Sequence, residues 1–346
     1  MFWRGTGSDK GRETQMVGER PATRKDVAQK AGVSVATVSY VLNHTKKFSP
    51  EVERKVRQAA EELKYRPNLV ARSLVTKHSS NVAILVDNLK NPYYLRMLEG
   101  AQKVASKHGY IVTLLLSDDI DGNLTDQILA RQFDGMIFTT QGYHMLFQKM
   151  SASIPCIQGT GEYVHIEYSN AVREAVQVLK QSGHQHIAML CGLNKDTTDP
   201  RVRDFREALK EQKVEIDEDL FVWGKDGKTT EEQGYLNMEE LLARKKTFTA
   251  VFALNDLMAI GAIRCLKHHG IRIPEDVSIW GCDNDDRDQD LTPPLSSIDV
   301  SANRIGEELM HSLLSLIEHA PYKKVTIHGK FILRESIGKC SEAQNI

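Results

Sequence analysis

From Asn81 onward, short apolar runs of strand length alternate with segments of helix length, and this pattern excludes most architectures. The runs are Val82–Val86, Tyr110–Leu116, Gly135–Phe138, Ile187–Cys191, Ala250–Ala253 and Val277–Gly281, and helix-compatible sequence such as Tyr94–His108, Phe205–Gln212 and Leu257–His269 lies between or after them. Strand–helix–strand repetition at this spacing predicts parallel, doubly wound sheets, because a parallel crossover needs a connection of about helix length. A stretch of about 260 residues is large for one such sheet and suits two lobes. Ligands of open parallel sheets bind outside the carboxyl ends of the strands, here between the lobes.

The segment before Asn81 has a different character. Residues 22–80 carry twelve Lys and Arg against five Asp and Glu, a net charge of +7, in a chain whose total is −1. Residues 1–21 add +1, so the remainder carries −9. A small basic head on a large acidic body fits a polyanion partner for the head, although charge alone leaves a merely solvated face equally open. With 41% hydrophobic and 26% charged residues, the composition excludes a disordered, collagen-like or disulfide-scaffold chain. No apolar run reaches the roughly 18 residues of a membrane span, and the polar start resembles no signal peptide. Five scattered cysteines (Cys156, Cys191, Cys265, Cys282, Cys340) without CxxC spacing read as reduced core residues, and a cytoplasmic location is expected.

Three helix starts punctuate the head. Thr23 with Asp26 three places on forms a capping-box pattern, Gly32 breaks the first helix, and Ser34 can cap a second helix over Val35–Asn43. Ser49-Pro50-Glu51 opens a third, which runs to about Tyr65 before Pro67. Val27, Ala28, Val38, Val41, Leu42, Val52, Val56, Ala59 and Leu63 fall on inward stripes, whereas Val35, Ala36, Thr37, Ser39 and Tyr40 point outward. Two short helices around a glycine turn with a third behind them make a helix-turn-helix module, whose second helix can enter a major groove. A purely structural three-helix bundle is the plainer alternative.

Asp26-Val27-Ala28, Ala31-Gly32-Val33-Ser34, Thr37-Val38-Ser39 and Val41-Leu42-Asn43 resemble the head of the LacI/GalR family of bacterial transcription regulators. Tyr65-Arg66-Pro67-Asn68 and Ala71-Arg72-Ser73-Leu74 resemble the segment that follows it, and the likeness continues to about Ile337 through Asn255-Asp256-Leu257-Met258-Ala259 and Gly281-Cys282-Asp283. The resemblance implies a homodimer that binds a near-palindromic double-stranded DNA operator, with contacts from Thr23, Ser34, Val35, Ala36, Thr37, Ser39, Tyr40 and Asn43. It also implies a hinge helix from Asn68 to Val75, with Asn68 and Arg72 at the DNA and Leu74 wedged between base steps of the minor groove.

The body implied by the resemblance is periplasmic-binding-protein-like, with two doubly wound lobes joined by three crossings. Its first lobe is expected over about 81–160 plus 293–320, and its second over 161–292 plus 321–340. Residues 22–66 are then the DNA-binding domain and 67–80 the hinge and linker. Residues 1–21 are expected to be a disordered extension or the product of a misassigned start, since Met16 stands at the family's usual distance from Thr23.

A small-molecule effector, sugar-like or a related metabolite, is implied at Tyr93, Tyr94, Arg201, Asn255 and Asp283. The tyrosines would form a wall, Arg201 would offer its planar fork, and Asn255 and Asp283 would take hydroxyl or amine donors. Each also has a plainer reading: Tyr93 as packing, Arg201 as a surface arginine, Asn255 as a helix cap. Thr160 and Glu167-Tyr168 depart from the family's pattern, which keeps open a protein partner in place of a free sugar.

The rival classes are an enzyme and a transport-associated sugar-binding protein. The chain has no GxSxG, HExxH or P-loop motif, and Gly5-Thr6-Gly7 follows no strand. Neither a catalytic residue nor a cofactor is expected. His184 and His186 lack a third metal ligand, and Asp283–Asp290 lacks the glycine and closing glutamate of a calcium loop, so it reads as a solvated acidic loop.

Overall fold

The computed structural model describes residues 20–43, 45–66, 78–116, 122–139 and 143–340. It divides after Lys77 into two compact units. The expectations for residues 1–15 and for the hinge at Asn68, Arg72 and Leu74 lie outside the described residues.

The head consists of α1 (Arg24–Ala31), α2 (Val35–Leu42) and α3 (Pro50–Glu62). Thr23 closes a capping box with Asp26, and Gly32 ends α1 at φ 67°, a left-handed conformation that glycine adopts without steric cost. Ser34 accepts from the Thr37 amide at 3.0 Å, and Ser49 accepts from Val52. Each such cap contributes about 1 kcal/mol. Val27, Ala28, Val38, Val41, Val56, Ala59 and Ala60 form a single small core.

The body holds a four-stranded parallel sheet and a larger six-stranded one. The first has the order β2 (Ile111–Leu116), β1 (Asn81–Val86), β3 (Gly135–Phe138), β4 (Cys156–Gln158). In the second, β12 (Lys330–Ile332), β10 (Ser296–Asp299), β9 (Ser278–Cys282), β8 (Ala250–Ala253), β6 (Ile187–Cys191) and β7 (Phe221–Trp223) lie side by side, and only β12 is antiparallel to its neighbour. Strands β3, β6, β8 and β9 are buried at every residue, which is why they read as unbroken apolar runs. Separately, β5 (Val164–Glu167) and β11 (Val325–His328) pair as a short parallel ribbon.

Helix α4 (Pro92–Lys107) packs closely on α11 (Ala302–Ile317). A Cβ at Gly100 would overlap the Asn303 carbonyl, and one at Gly306 the Met97 carbonyl, so both glycines set the approach of the two backbones. Helix α11 therefore belongs to the first lobe. The sequence boundary at about 293 needs correction, because β10 pairs with β9 and places residues 296–299 in the second lobe's sheet. Ser296-Ser297 has little of the β-branched character that marks the other strands, so nothing local announces it. No helix among the described residues is long and apolar enough to cross a membrane.

Candidate functional site

In the head, the face of α2 turned away from the core is small and polar. Val35 is 45% exposed and Tyr40 44%, and Ser34, Ala36 and Asn43 are exposed beside them. Thr37 and Ser39 are half-buried. The Ser34 and Thr37 hydroxyls bond each other at 2.9 Å, while Ser39 accepts from Arg24 at 3.4 Å and from the Asn43 amide at 3.3 Å. Thr23 is exposed, and its hydroxyl donates to Asp26. The Tyr40 ring stacks on Phe48, with centroids 6.4 Å apart and planes 24° apart, and Lys46 lies over the Phe48 ring. Tyr40 thus packs on Phe48 while remaining exposed.

In the body, residues from both lobes meet at the strand ends. Asp283 directly follows β9 and is buried at φ 121°, a region that costs a non-glycine residue on the order of 1–3 kcal/mol. Burial first, and then the charge of Asp256, raise its carboxyl to about 7. Asn91, which caps α4 in the other lobe, donates to that carboxylate at 3.4 Å. Arg96, one turn along α4, donates to the carbonyls of Asp283 and Asn284, each at 2.6 Å. Two side chains of the first lobe therefore hold the strained turn of the second.

Arg201 sits in the first turn of α8 (Pro200–Glu211). It grips Asp199 with both arms of its fork, at 2.9 and 2.8 Å, and gives a third N–H to the Leu254 carbonyl at 2.9 Å. A guanidinium has five N–H donors, and these three bonds use three of them. Asp199 stays ionised despite its burial because Arg201 lies against it. The Tyr168 ring lies 6.0 Å from the Arg201 guanidinium. Tyr93 and Tyr94 pack edge to face at 5.4 Å, and burial pushes all three phenols above their usual range.

Asn255 is placed differently. Its side-chain oxygen caps α10 (Asp256–His268) through the Met258 amide at 3.0 Å, and its nitrogen donates to the Thr229 carbonyl at 3.1 Å. The capping role is what the geometry displays.

The expectation of a solvated acidic loop over 283–290 is overturned. Asp283, Asp285 and Asp288 are buried, while Asp286, Arg287, Gln289 and Asp290 are exposed. Asp285 pairs with Arg287 at 3.0 Å, and the Asp256 carboxylate accepts from the Ser297 hydroxyl and the Asp285 amide. Fully buried Asp288 faces Asp256, and burial together with that charge pushes its carboxyl well above the usual carboxylate range. His184, by contrast, is core structure: Thr249 meets one ring nitrogen, and the Gly338 carbonyl and Ser278 meet the other.

Two family models match the chain. Residues 23–68 match bacterial regulatory proteins of the lacI family, and residues 176–337 match the periplasmic binding protein-like domain. The HTH-type transcriptional repressor PurR of Haemophilus influenzae is 31% identical over 334 residues, 91% of this chain and 98% of that protein. The chain belongs to the LacI family. It is a DNA-binding transcriptional regulator with a helix-turn-helix head and an effector-binding type of body.

Among solved structures, the regulator CelR in complex with cellobiose shares 28% identity and a TM-score of 0.66, covering 91% of this chain and 99% of that one. The Lac repressor dimer bound to operator and the anti-inducer ONPF superposes with a TM-score of 0.77 at 22% identity, covering 92% and 100%. For a LacI-family chain, the residues that sequence reasoning missed are Asn91, Arg96, Tyr168 and Asp199. Asn91 and Asp199 left a local signal, a capping residue before a proline at a helix start.

The exposure of Tyr40 on α2 gives a test of base reading. Tyr40→Arg should add a guanine preference at one symmetric pair of operator positions, because arginine can bond O6 and N7 together, a pairing that contributes about 1–3 kcal/mol of discrimination. Binding of parent and variant to every single-base operator change measures this. An unchanged profile makes Tyr40 a positioning residue held by Phe48.

Proposed function

We propose that the chain is a cytoplasmic repressor, without enzymatic activity, that acts as a homodimer on a near-palindromic operator and responds to a small polar metabolite held between its lobes. In this reading α2 of each head enters the major groove, with Val35 and Ala36 against apolar base surface such as a thymine methyl, and Ser34, Thr37, Ser39, Tyr40 and Asn43 available for polar contacts. Thr23 adds a phosphate contact at the start of α1. Asn68, Arg72 and Leu74 are assigned to the hinge on the strength of the family pattern. The +7 head supports the electrostatic part. Edge strand β2 with its exposed Ile111 supports pairing of bodies, since an open sheet edge is a ready association surface.

The observation that carries the effector reading is Asp283, a buried carboxyl on a strained turn clamped by Asn91 and Arg96 from the opposite lobe. A hydroxyl or N–H donor on the ligand would replace Asn91 at this carboxylate, Arg201 would offer its two remaining donors, and Tyr93 and Tyr168 would flank a ring. A ligand that changes the clamp binds the two lobe arrangements unequally, which is the requirement for altering DNA affinity. CelR was solved with cellobiose, which makes sugars the first class to try.

One observation favours the second reading, control by a protein partner. Glu167 is engaged by Ser169, the Asn170 amide and His328, and so is spent on the start of the next helix. A thermal-shift screen of sugars and planar-ring metabolites on parent and Asp283→Asn tests the proposal. Ligands that stabilise only the parent support the cleft; a ligand that controls operator binding and stabilises both equally places the pocket elsewhere.

A further inference from the structure

Helices α9 (Glu231–Ala243) and α10 of the second lobe approach each other unusually closely. A Cβ at Gly234 would overlap the Met258 backbone, and one at Gly261 would overlap the Glu231 carbonyl. This contact brings two pairs of side chains, each spaced four residues apart on one helical face, against one another. Tyr235 and Glu239 come from α9, and Cys265 and His269 from the end of α10. His269 Nε2 lies 3.0 Å from the Glu239 carboxylate. The Cys265 thiol, the His269 imidazole and the Glu239 carboxylate each offer one atom, and the three atoms lie within 4.8 Å of one another. Tyr235 is hydrogen-bonded to His268 at 3.2 Å beside them.

We propose that Glu239, Cys265 and His269 form a binding site for a zinc-class divalent ion, with the fourth position left to water. Thiolate, imidazole and carboxylate are the donors that zinc accepts in a tetrahedral shell, and three protein ligands plus one open position is an established arrangement. The site stands at the C-terminal ends of its helices, whereas Asn255 caps the opposite end of α10 beside the strand ends, so it is separate from the effector cleft. Rigid helices fix the ligands better than loops do.

A surface ion pair over a core cysteine explains His269 and Glu239 without a metal, and the thiol separates the two accounts. The Cys265 thiol is buried, and its sulfur lies within 4.8 Å of the ligand atoms of Glu239 and His269. A bound divalent ion releases the thiol proton to solvent and takes the thiolate as a ligand.

The test is a cobalt titration of the full-length protein after stripping with EDTA. One equivalent of Co2+ should raise a thiolate-to-cobalt charge-transfer band, and Zn2+ should bleach it. Cys265→Ser should abolish the band, and His269→Ala should weaken cobalt binding by at least on the order of tenfold, while Cys340→Ser leaves both unchanged. His269 is exposed, so its variant decides the matter if Cys265→Ser does not fold. A parent without the band, a band that survives Cys265→Ser, or binding indifferent to His269→Ala overturns the site.

Discussion

Arg201→Ala is expected to destabilise the body by about 3 kcal/mol, as well as removing a ligand contact. The reason is Asp199, whose carboxylate is 16% exposed and is gripped by both arms of the Arg201 fork. Removing one partner of a largely buried pair strands the other charge, at a cost of about 3–5 kcal/mol. The low end applies here because Asp199 keeps the Arg201 backbone N–H at 2.9 Å. Adding Asp199→Asn removes the stranded charge and retains a good helix cap, so the double variant should regain most of the loss. Urea unfolding of the parent and the two variants measures both steps. Equal stability of Arg201→Ala and the parent would mean that the pair is not held as the structure shows it.

Asp283→Asn should change how both stability and effector binding depend on pH. The folded carboxyl is raised to about 7 by burial and by Asp256, whereas an unfolded aspartate titrates near 3.9. Between those values the unfolded chain has released the proton that the folded chain retains. The contribution of Asp283 is therefore fully present below about pH 4 and is lost as the pH rises to about 7, on the order of 1.4 kcal/mol per pH unit. The asparagine variant lacks this slope and should gain on the parent across that window. An effector that donates to ionised Asp283 should bind the parent up to about tenfold more weakly per pH unit below 7 and bind Asp283→Asn with no such dependence. Parallel stability curves for parent and variant from pH 4 to about 7 would contradict the assignment of the proton to Asp283.

What could be read directly from the chain was local. Gly32 and the Ser34–Thr37 pair announce the turn and the recognition helix, and the unbroken runs at Ile187–Cys191 and Ala250–Ala253 are strands at those positions because both sheet faces are covered. Asp283 was legible as a polar residue after such a run. Its environment was not, because Asn91 and Arg96 lie about 190 residues earlier and meet it only across the lobes. Tyr168 was legible only as a departure from the family pattern, and its place against Arg201 appears only where α8 brings the two together.

The acidic run after β9 misled for a related reason. Three of the five carboxylates, Asp283, Asp285 and Asp288, are buried, and no periodicity of apolar residues marks a buried acid. The Glu239–Cys265–His269 cluster escapes a search for metal-ligand spacing because its members come from two helices joined through the glycine contact.

The basic head is expected to read a symmetric operator under the control of the body. Selection of bound fragments from the bacterial genome with the full-length protein, scored in about 50 and 200 mM salt, addresses it most directly. The account predicts an inverted repeat whose half-site centres lie about one DNA turn apart or a multiple of it. It also predicts affinity that falls steeply with salt as Lys and Arg contacts release counterions. Recovery of no symmetric motif, or of fragments held equally well at both salt concentrations, would contradict it.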